Sequence, residues 1–221
     1  MVQPGNTQPL PQPQRGFFDL TKDEVVAWMT SLGEPKYRAD QVLRWMYQEG
    51  AVTYEQMSNL PKAMRTRMAA EMALYTSTVL RSQESADGTI KRLLQWRDGA
   101  TSECVLIPDE DRRTACISTQ VGCPVGCVFC ASGVGGLQRQ LSAGQIVEQA
   151  MRVRELCTDG FRLSNIVFMG MGEPLANYAA TVQAIRTMNA EWGMGIGARK
   201  ITVSTVGLPT QMRRLADEKM Q

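Results

Sequence analysis

Apolar residues recur at helical spacing from Phe17 to about Leu74. Asp19-Leu20-Thr21-Lys22-Asp23-Glu24 predicts a helix start, with Thr21 as N-cap and Glu24 three residues on as a capping box. Val25, Val26, Met29 and Leu32 form its apolar face, and Gly33 ends it. A second helix over Tyr37–Tyr47 turns Val42, Leu43 and Met46 to one side, and Pro61 starts a third through Met64, Met68 and Met72. A small helical domain over residues 16–75 is therefore expected.

The period then shortens. Thr76–Leu80, Ile90–Gln95, Glu103–Ile107 and Ala115–Ser118 read as strands, separated by turn signals at Asp87-Gly88, Asp98-Gly99 and Pro108-Asp109. Beyond residue 118 strand and helix alternate, which predicts a parallel sheet. Ser142-Ala143-Gly144-Gln145 is a second capping box, leading a helix with Ile146, Ala150, Val153 and Cys157 on one stripe. Asn165–Met169 is a strand, Tyr178–Asn189 a helix, Lys200–Ser204 a strand, and Pro209 opens a last helix. The organisation read from pattern is a disordered tail over 1–15, a helical domain over 16–75, a β-rich lead-in over 76–118 and an α/β core over 115–221.

Composition narrows the possibilities. The tail holds four prolines and four glutamines and lacks the charged and apolar regions of a signal peptide. No apolar run approaches the roughly 20 residues of a membrane span, so no membrane partner and a cytoplasmic location are expected. Six cysteines under those conditions favour metal or redox chemistry over a disulfide framework. The formal charge of +2 announces no polycationic surface, and the absence of histidine excludes any imidazole base or ligand in these residues. Arg112-Arg113, Arg139, Arg199-Lys200 and Arg213-Arg214 read either as phosphate contacts or as ordinary solvated charges.

The chemistry concentrates in Gln120–Ala131. Cys123, Cys127 and Cys130 have a C-x3-C-x2-C spacing, Gly122 and Gly126 permit a tight loop, and Pro124 stiffens it. Thiolates are the soft ligands that zinc and iron–sulfur centres select. Three ligands stand where four are normal, and three thiolates on a 4Fe–4S cluster leave one iron open to a small molecule. A zinc knuckle completed by Cys116, or a buried disulfide, are the bland alternatives. Gly172-Glu173 ends the second core strand and Ser204-Thr205 the third, where ligands of parallel sheets collect. Gly-Glu-Pro also suits a plain turn, and Ser204 a hydroxyl that satisfies backbone.

With Phe129 before the last cysteine, the C-x3-C-x-aromatic-C loop resembles the radical-SAM superfamily. Glu103–Pro108, Arg113–Cys123 and Met169–Leu175 narrow the resemblance to the RlmN/Cfr family, radical-SAM methyltransferases acting on adenine in RNA. It runs from about residue 17 to 221. The resemblance implies an α/β fold: the N-terminal half of a partial (βα)6 barrel, preceded by a helical accessory domain and a short antiparallel β segment. It implies a 4Fe–4S cluster on Cys123, Cys127 and Cys130, and S-adenosylmethionine held by Gly172, Glu173 and Ser204. It implies Glu103 as proton acceptor and Cys116 as the cysteine whose transient disulfide resolves a protein–RNA adduct. Read without the family, Glu103 is equally a solvated strand carboxylate and Cys116 a small buried residue.

The implied reaction adds a methyl group to carbon 2 of adenine in 23S rRNA and tRNA by a methyl-cysteine mechanism, with an external electron donor. A carbon 8 methyltransferase of the same family, or a non-catalytic iron–sulfur or zinc module that binds RNA, are the rivals. The family's methyl-carrying cysteine lies beyond the last helix of this chain. The 221 residues are therefore expected to be inactive alone and to need the missing C-terminal half. Cys104 and Cys157 receive no role.

Overall fold

The computed structural model describes residues 16–158 and 160–220, so the expected disordered tail over 1–15 lies outside the described residues. The first helix, α1 (Lys22–Ser31), starts where its capping box directs. Thr21 Oγ1 accepts from Glu24 N–H at 3.3 Å, while Glu24 Oε2 accepts from Thr21 N–H at 2.8 Å. Val25, Met29 and Leu32 are buried as the periodicity predicts, and Val26 lies at the margin of the same face. A second helix, α2 (Tyr37–Arg44), runs on as one wide turn over Trp45–Glu49 and stops at Gly50. Helix α3 (Lys62–Glu71) follows Pro61 and buries Met64 and Met68.

Four strands follow: β1 (Ser77–Glu84), β2 (Ile90–Trp96), β3 (Thr101–Asp109) and β4 (Arg112–Cys116), paired antiparallel in order. The chain does not turn at Pro108-Asp109 as its composition suggests. Strand β3 continues through both, and the reversal falls at Glu110, which takes φ 44°. Pairing of β3 with β2 ends at Leu106, so the missing N–H of Pro108 costs that ladder nothing.

Beyond β4 a two-stranded ribbon, β5 (Gln120–Gly122) and β6 (Leu137–Gln140), carries the cysteine loop as its tip. Helix α4 (Ala143–Arg154) then crosses to β7 (Asn165–Phe168), α5 (Tyr178–Asn189) to β8 (Ile201–Val203), and α6 (Pro209–Asp217) follows. Strand β7 runs parallel to β4, and β8 parallel to β7. One six-stranded sheet results, in the order β1-β2-β3-β4-β7-β8. The three βα units read from the sequence are present, joined edge to edge with the antiparallel lead-in.

Alternation gives this sheet two unlike faces. Cys104, Leu106, Ala115, Ile166 and Phe168 are buried on the face that α4 covers, with α5 packed against α4. Glu103, Val105, Cys116 and Val167 share the other face and are only partly buried. The core fills the covered side and continues into the helical domain through Phe17, Phe18 and Tyr47.

Helix α4 departs most from its sequence pattern. A single apolar stripe predicts one buried side, yet ten of its twelve residues are buried, because the helical domain packs on the other. The polar residues caught between are all used. Glu148 accepts from Thr76 N–H at 2.8 Å, Thr76 Oγ1 at 2.7 Å and Ser77 N–H at 2.7 Å. Asp19 accepts from Gly144 N–H at 2.7 Å, at a place where a Cβ on residue 144 would lie 2.4 Å from the Asp19 carboxyl carbon. Cys157 is not on the helix stripe. The helix ends at Arg154, and Cys157 lies beyond it, half-buried against the core.

Candidate cluster and cofactor site

The cysteine loop is closed at its neck by Cys123 N–H donating to Gly136 O at 3.1 Å. That closure requires Gly122, which has φ 75° and would put a Cβ 2.0 Å from the same carbonyl. Inside the loop Cys130 N–H donates to Cys127 O and Gly133 N–H to Cys130 O, turns that fold the tip back. Cys123, Cys127 and Cys130 are free thiols, each partly buried. Val128 and Phe129 stand outside in solvent. No group of three or more His, Cys, Asp or Glu side chains among the described residues is gathered to hold a metal ion. The loop thus brings three soft donors onto one short, anchored segment without drawing them onto a common centre. As a donor set they fit an iron–sulfur cluster, since no imidazole or carboxylate competes within the loop.

The turn after β7 packs against the segment that leads from β4 into this ribbon. Gly170 passes so close to β4 that a Cβ would meet Ser118 Oγ at 2.6 Å and Ile117 O at 2.8 Å. Ser118 Oγ donates to Glu103 O at 2.6 Å and accepts from Met171 N–H at 2.9 Å, which ties β3, β4 and this turn together. Gly172 has φ 98°. Glu173 is buried, 3% exposed, and its carboxylate is already engaged. Oε1 accepts from Leu175 N–H at 2.9 Å and Thr205 Oγ1 at 2.7 Å, and Oε2 from Val206 N–H at 2.9 Å. Of about four lone-pair positions on a carboxylate, one is left for a further donor. Ser204, one residue past β8, is exposed at the end of the open face; the residue that touches Glu173 is Thr205.

On the open face the strand register brings two expected residues to one side. Cys116 lies opposite Val105, and Glu103 is two residues along β3 from Val105. Glu103 is 40% exposed and paired with Lys91 Nζ at 3.0 Å from β2. Burial raises the Cys116 thiol above its ordinary pKa, while a hydrogen bond from the Met169 backbone pulls the other way. Cys104 points into the covered face, and burial pushes its pKa up to about 12. All six cysteines are free, so no disulfide is formed within the described residues, and the expected disulfide has no support here.

Comparison with known proteins shows the family to which the chain belongs. Residues 16–74 match the family model for the ribosomal RNA large subunit methyltransferase N-terminal domain, and residues 117–220 match that for the radical SAM superfamily. The chain belongs to the RlmN family of radical SAM proteins. It is 46% identical to a probable dual-specificity RNA methyltransferase RlmN 3 of Opitutus terrae, over 90% of this chain and 58% of that protein. It is 48% identical to a probable dual-specificity RNA methyltransferase RlmN of Gloeobacter violaceus, over 90% of this chain and 56% of that protein. The crystal structure of a radical SAM methyltransferase from Sphaerobacter thermophilus superposes with a TM-score of 0.90 at 45% identity, covering 93% of this chain and 61% of that one. The chain thus spans somewhat more than half the length of these RlmN relatives.

Within this RlmN-family fold, several cations expected at the surface are committed elsewhere. Arg139 is largely covered where it pairs with Asp98, and it donates to Gln145 Oε1 at 2.9 Å. Arg113 is buried, donates to Glu110 O at 2.9 Å and lies 4.5 Å over the Phe161 ring. Arg112 pairs with Asp109, and Arg214 covers the Tyr178 ring at 4.1 Å. Arg199 and Lys200 remain exposed. Sequence reasoning gave no role to Gln120 and Gln149, and named Thr205 only as a strand end beside Ser204. A run of hydroxyl and amide side chains, Ser118-Thr119-Gln120, between the strand read to Ser118 and the first cysteine was the available signal. Gln149 holds Ser118 from both sides, accepting from its N–H and donating to its carbonyl at 2.9 Å each.

Proposed function

We propose that this chain is the cluster- and cofactor-binding part of a methyltransferase acting on carbon 2 of adenine in 23S rRNA and tRNA. The observation that carries the reading is the common open face. Glu103 and Cys116 share it, and the cysteine loop and the Gly172–Glu173 turn follow directly from its strands. Cys123, Cys127 and Cys130 would hold a 4Fe–4S cluster, and Gly172, Glu173 and Ser204 would hold S-adenosylmethionine. When bound and reduced by an external electron donor, that pair supplies radical chemistry and the methyl group. The chain's own residues orient and exclude water. Glycines at 170 and 172 let the backbone approach closely, and the remaining acceptor position of Glu173 suits an ammonium group.

Glu103 pairs with Lys91 and is 40% exposed, so a substrate on the open face can reach it, as a proton acceptor requires. Cys116 is placed to attack an adduct on the same face, and its raised pKa keeps it protonated until a base or the substrate removes the proton. No helix among the described residues is long and apolar enough to cross a membrane.

Nucleoside mass spectrometry of 23S rRNA and tRNA from cells with and without the gene tests the proposal. Loss of 2-methyladenine on deletion is the expected result. Loss of 8-methyladenine instead would favour the carbon 8 chemistry, and no change in either RNA would leave a non-catalytic cluster module.

A further inference from the structure

Gln120 opens β5, at the base of the ribbon that carries the cysteine loop, and is fully buried. Its amide is held at both ends. Nε2 donates to Gln140 Oε1 on β6 at 2.9 Å, and Oε1 accepts from Glu173 N–H at 2.7 Å. The space it occupies exists because residue 172 has no side chain: a Cβ there would lie 2.6 Å from Gln120 Cβ and 2.8 Å from Oε1. The backbone follows the same line, with Thr119 N–H and Gln120 N–H both donating to Met171 O, at 2.9 and 3.3 Å. From Glu173 the bonds continue to Thr205 Oγ1 and Val206 N–H beyond β8.

A buried side chain that only filled space here would be better served by Leu or Met, because an amide must have both ends satisfied to repay its desolvation. Gln120 has both satisfied, one on each side of the gap between the cysteine ribbon and the Gly172–Glu173 turn. We propose that Gln120 is a positioning residue that couples the two. Through its amide, the register of the cysteine loop fixes the Glu173 backbone and, through the Glu173 carboxylate, the loop after β8. The proposal rests on reading those turns as the S-adenosylmethionine site. It predicts that disturbing the ribbon loosens the cofactor turns without removing a thiol.

Amide hydrogen exchange on the full 221-residue chain without cluster reads the coupling directly. In Gln120→Leu, exchange at Val206 N–H, a group Gln120 does not touch, should rise about tenfold together with Glu173 N–H, while Ile117 and Ala150 stay protected. Faster exchange at Glu173 alone would overturn the coupling. Should Gln120→Leu fail to fold, Gln140→Leu tests it from the exposed side by removing the acceptor for Gln120 Nε2. Its control is Gln140→Glu, which keeps that acceptor and loses only the 3.3 Å donation to Ala176 O. Gln140→Leu should speed exchange at Glu173 N–H, and an unchanged rate overturns the proposal.

After anaerobic reconstitution, Gln120→Leu should keep wild-type iron and sulfide yet bind S-adenosylmethionine about tenfold more weakly by calorimetry. Equal affinity at full cluster content would also overturn it. A wild-type chain that takes up cluster but no S-adenosylmethionine would instead count against the functional reading, with exchange at Val206 still deciding the coupling.

Discussion

Replacing Glu173 by Ala removes a carboxylate that three donors share: Leu175 N–H, Thr205 Oγ1 and Val206 N–H. Hydrogen bonds to an ionised group contribute roughly 1.5–3 kcal/mol each, so a simple sum of about 4.5–9 kcal/mol is a ceiling. Two of the donors belong to the loop after β8, where Val206 is 53% exposed, and both can turn to water. Leu175, 1% exposed, cannot, and its orphaned N–H costs about 1–3 kcal/mol. That same bond makes Glu173 the N-cap of the short turn Pro174–Asn177, so it is counted once. The expected destabilisation of the cluster-free chain is therefore about 1–3 kcal/mol. Glu173→Gln, which keeps one acceptor, should lose about half of that. Urea unfolding followed by circular dichroism measures it, with an unchanged slope showing that the two-state comparison holds. A loss under about 0.5 kcal/mol for Glu173→Ala would refute the reasoning, since surface groups behave that way. It would mean the carboxylate is not clamped between the strands but turned toward a ligand.

Cys127→Ala should abolish iron and sulfide uptake on anaerobic reconstitution, whereas Cys157→Ala should leave both intact; tightly bound zinc without iron would refute the cluster assignment. Gly122→Ala should unseat the neck of the cysteine loop and cost about 2–4 kcal/mol, because its φ of 75° and the 2.0 Å approach to Gly136 O both exclude a Cβ. Full stability in that variant, again by urea unfolding, would contradict the ribbon register. Stability should fall as pH rises above about 9. Cys104 stays protonated in the folded chain up to about 12 while the unfolded thiol ionises from 9.0, so the unfolded state binds fewer protons in that window. The slope from one such group is about 1.4 kcal/mol per pH unit, and a flatter profile in Cys104→Ala checks its source.

The sequence was sufficient wherever the determinant is local. The capping boxes at Thr21 and Ser142 satisfy orphan amides with side chains three residues away, so both helices begin where those residues stand. The α5 boundaries and the three βα units follow from short-range periodicity in the same way, whereas the strand phase that turns Cys116 to the open face came only from the register of β3 on β4. The thiol spacing and the family motifs are likewise properties of neighbouring residues.

What only the tertiary structure decided involves groups far apart in the chain. The stripe on α4 gives no sign that the helical domain covers its other side, because Glu148 meets Thr76 and Ser77 across more than 70 positions. The sequence places Glu173 at a strand end but not in a clamp, since two of its three donors come from the loop after the next strand. Gln120 looks like any polar residue leading into the cysteine loop until Gly172 folds over it. Arg113 and Arg139 read as surface charges because burial is set by what packs above a residue, which no local pattern records. Periodicity and capping act within a few residues, whereas the satisfaction of a buried polar group is decided by whatever the fold brings to it.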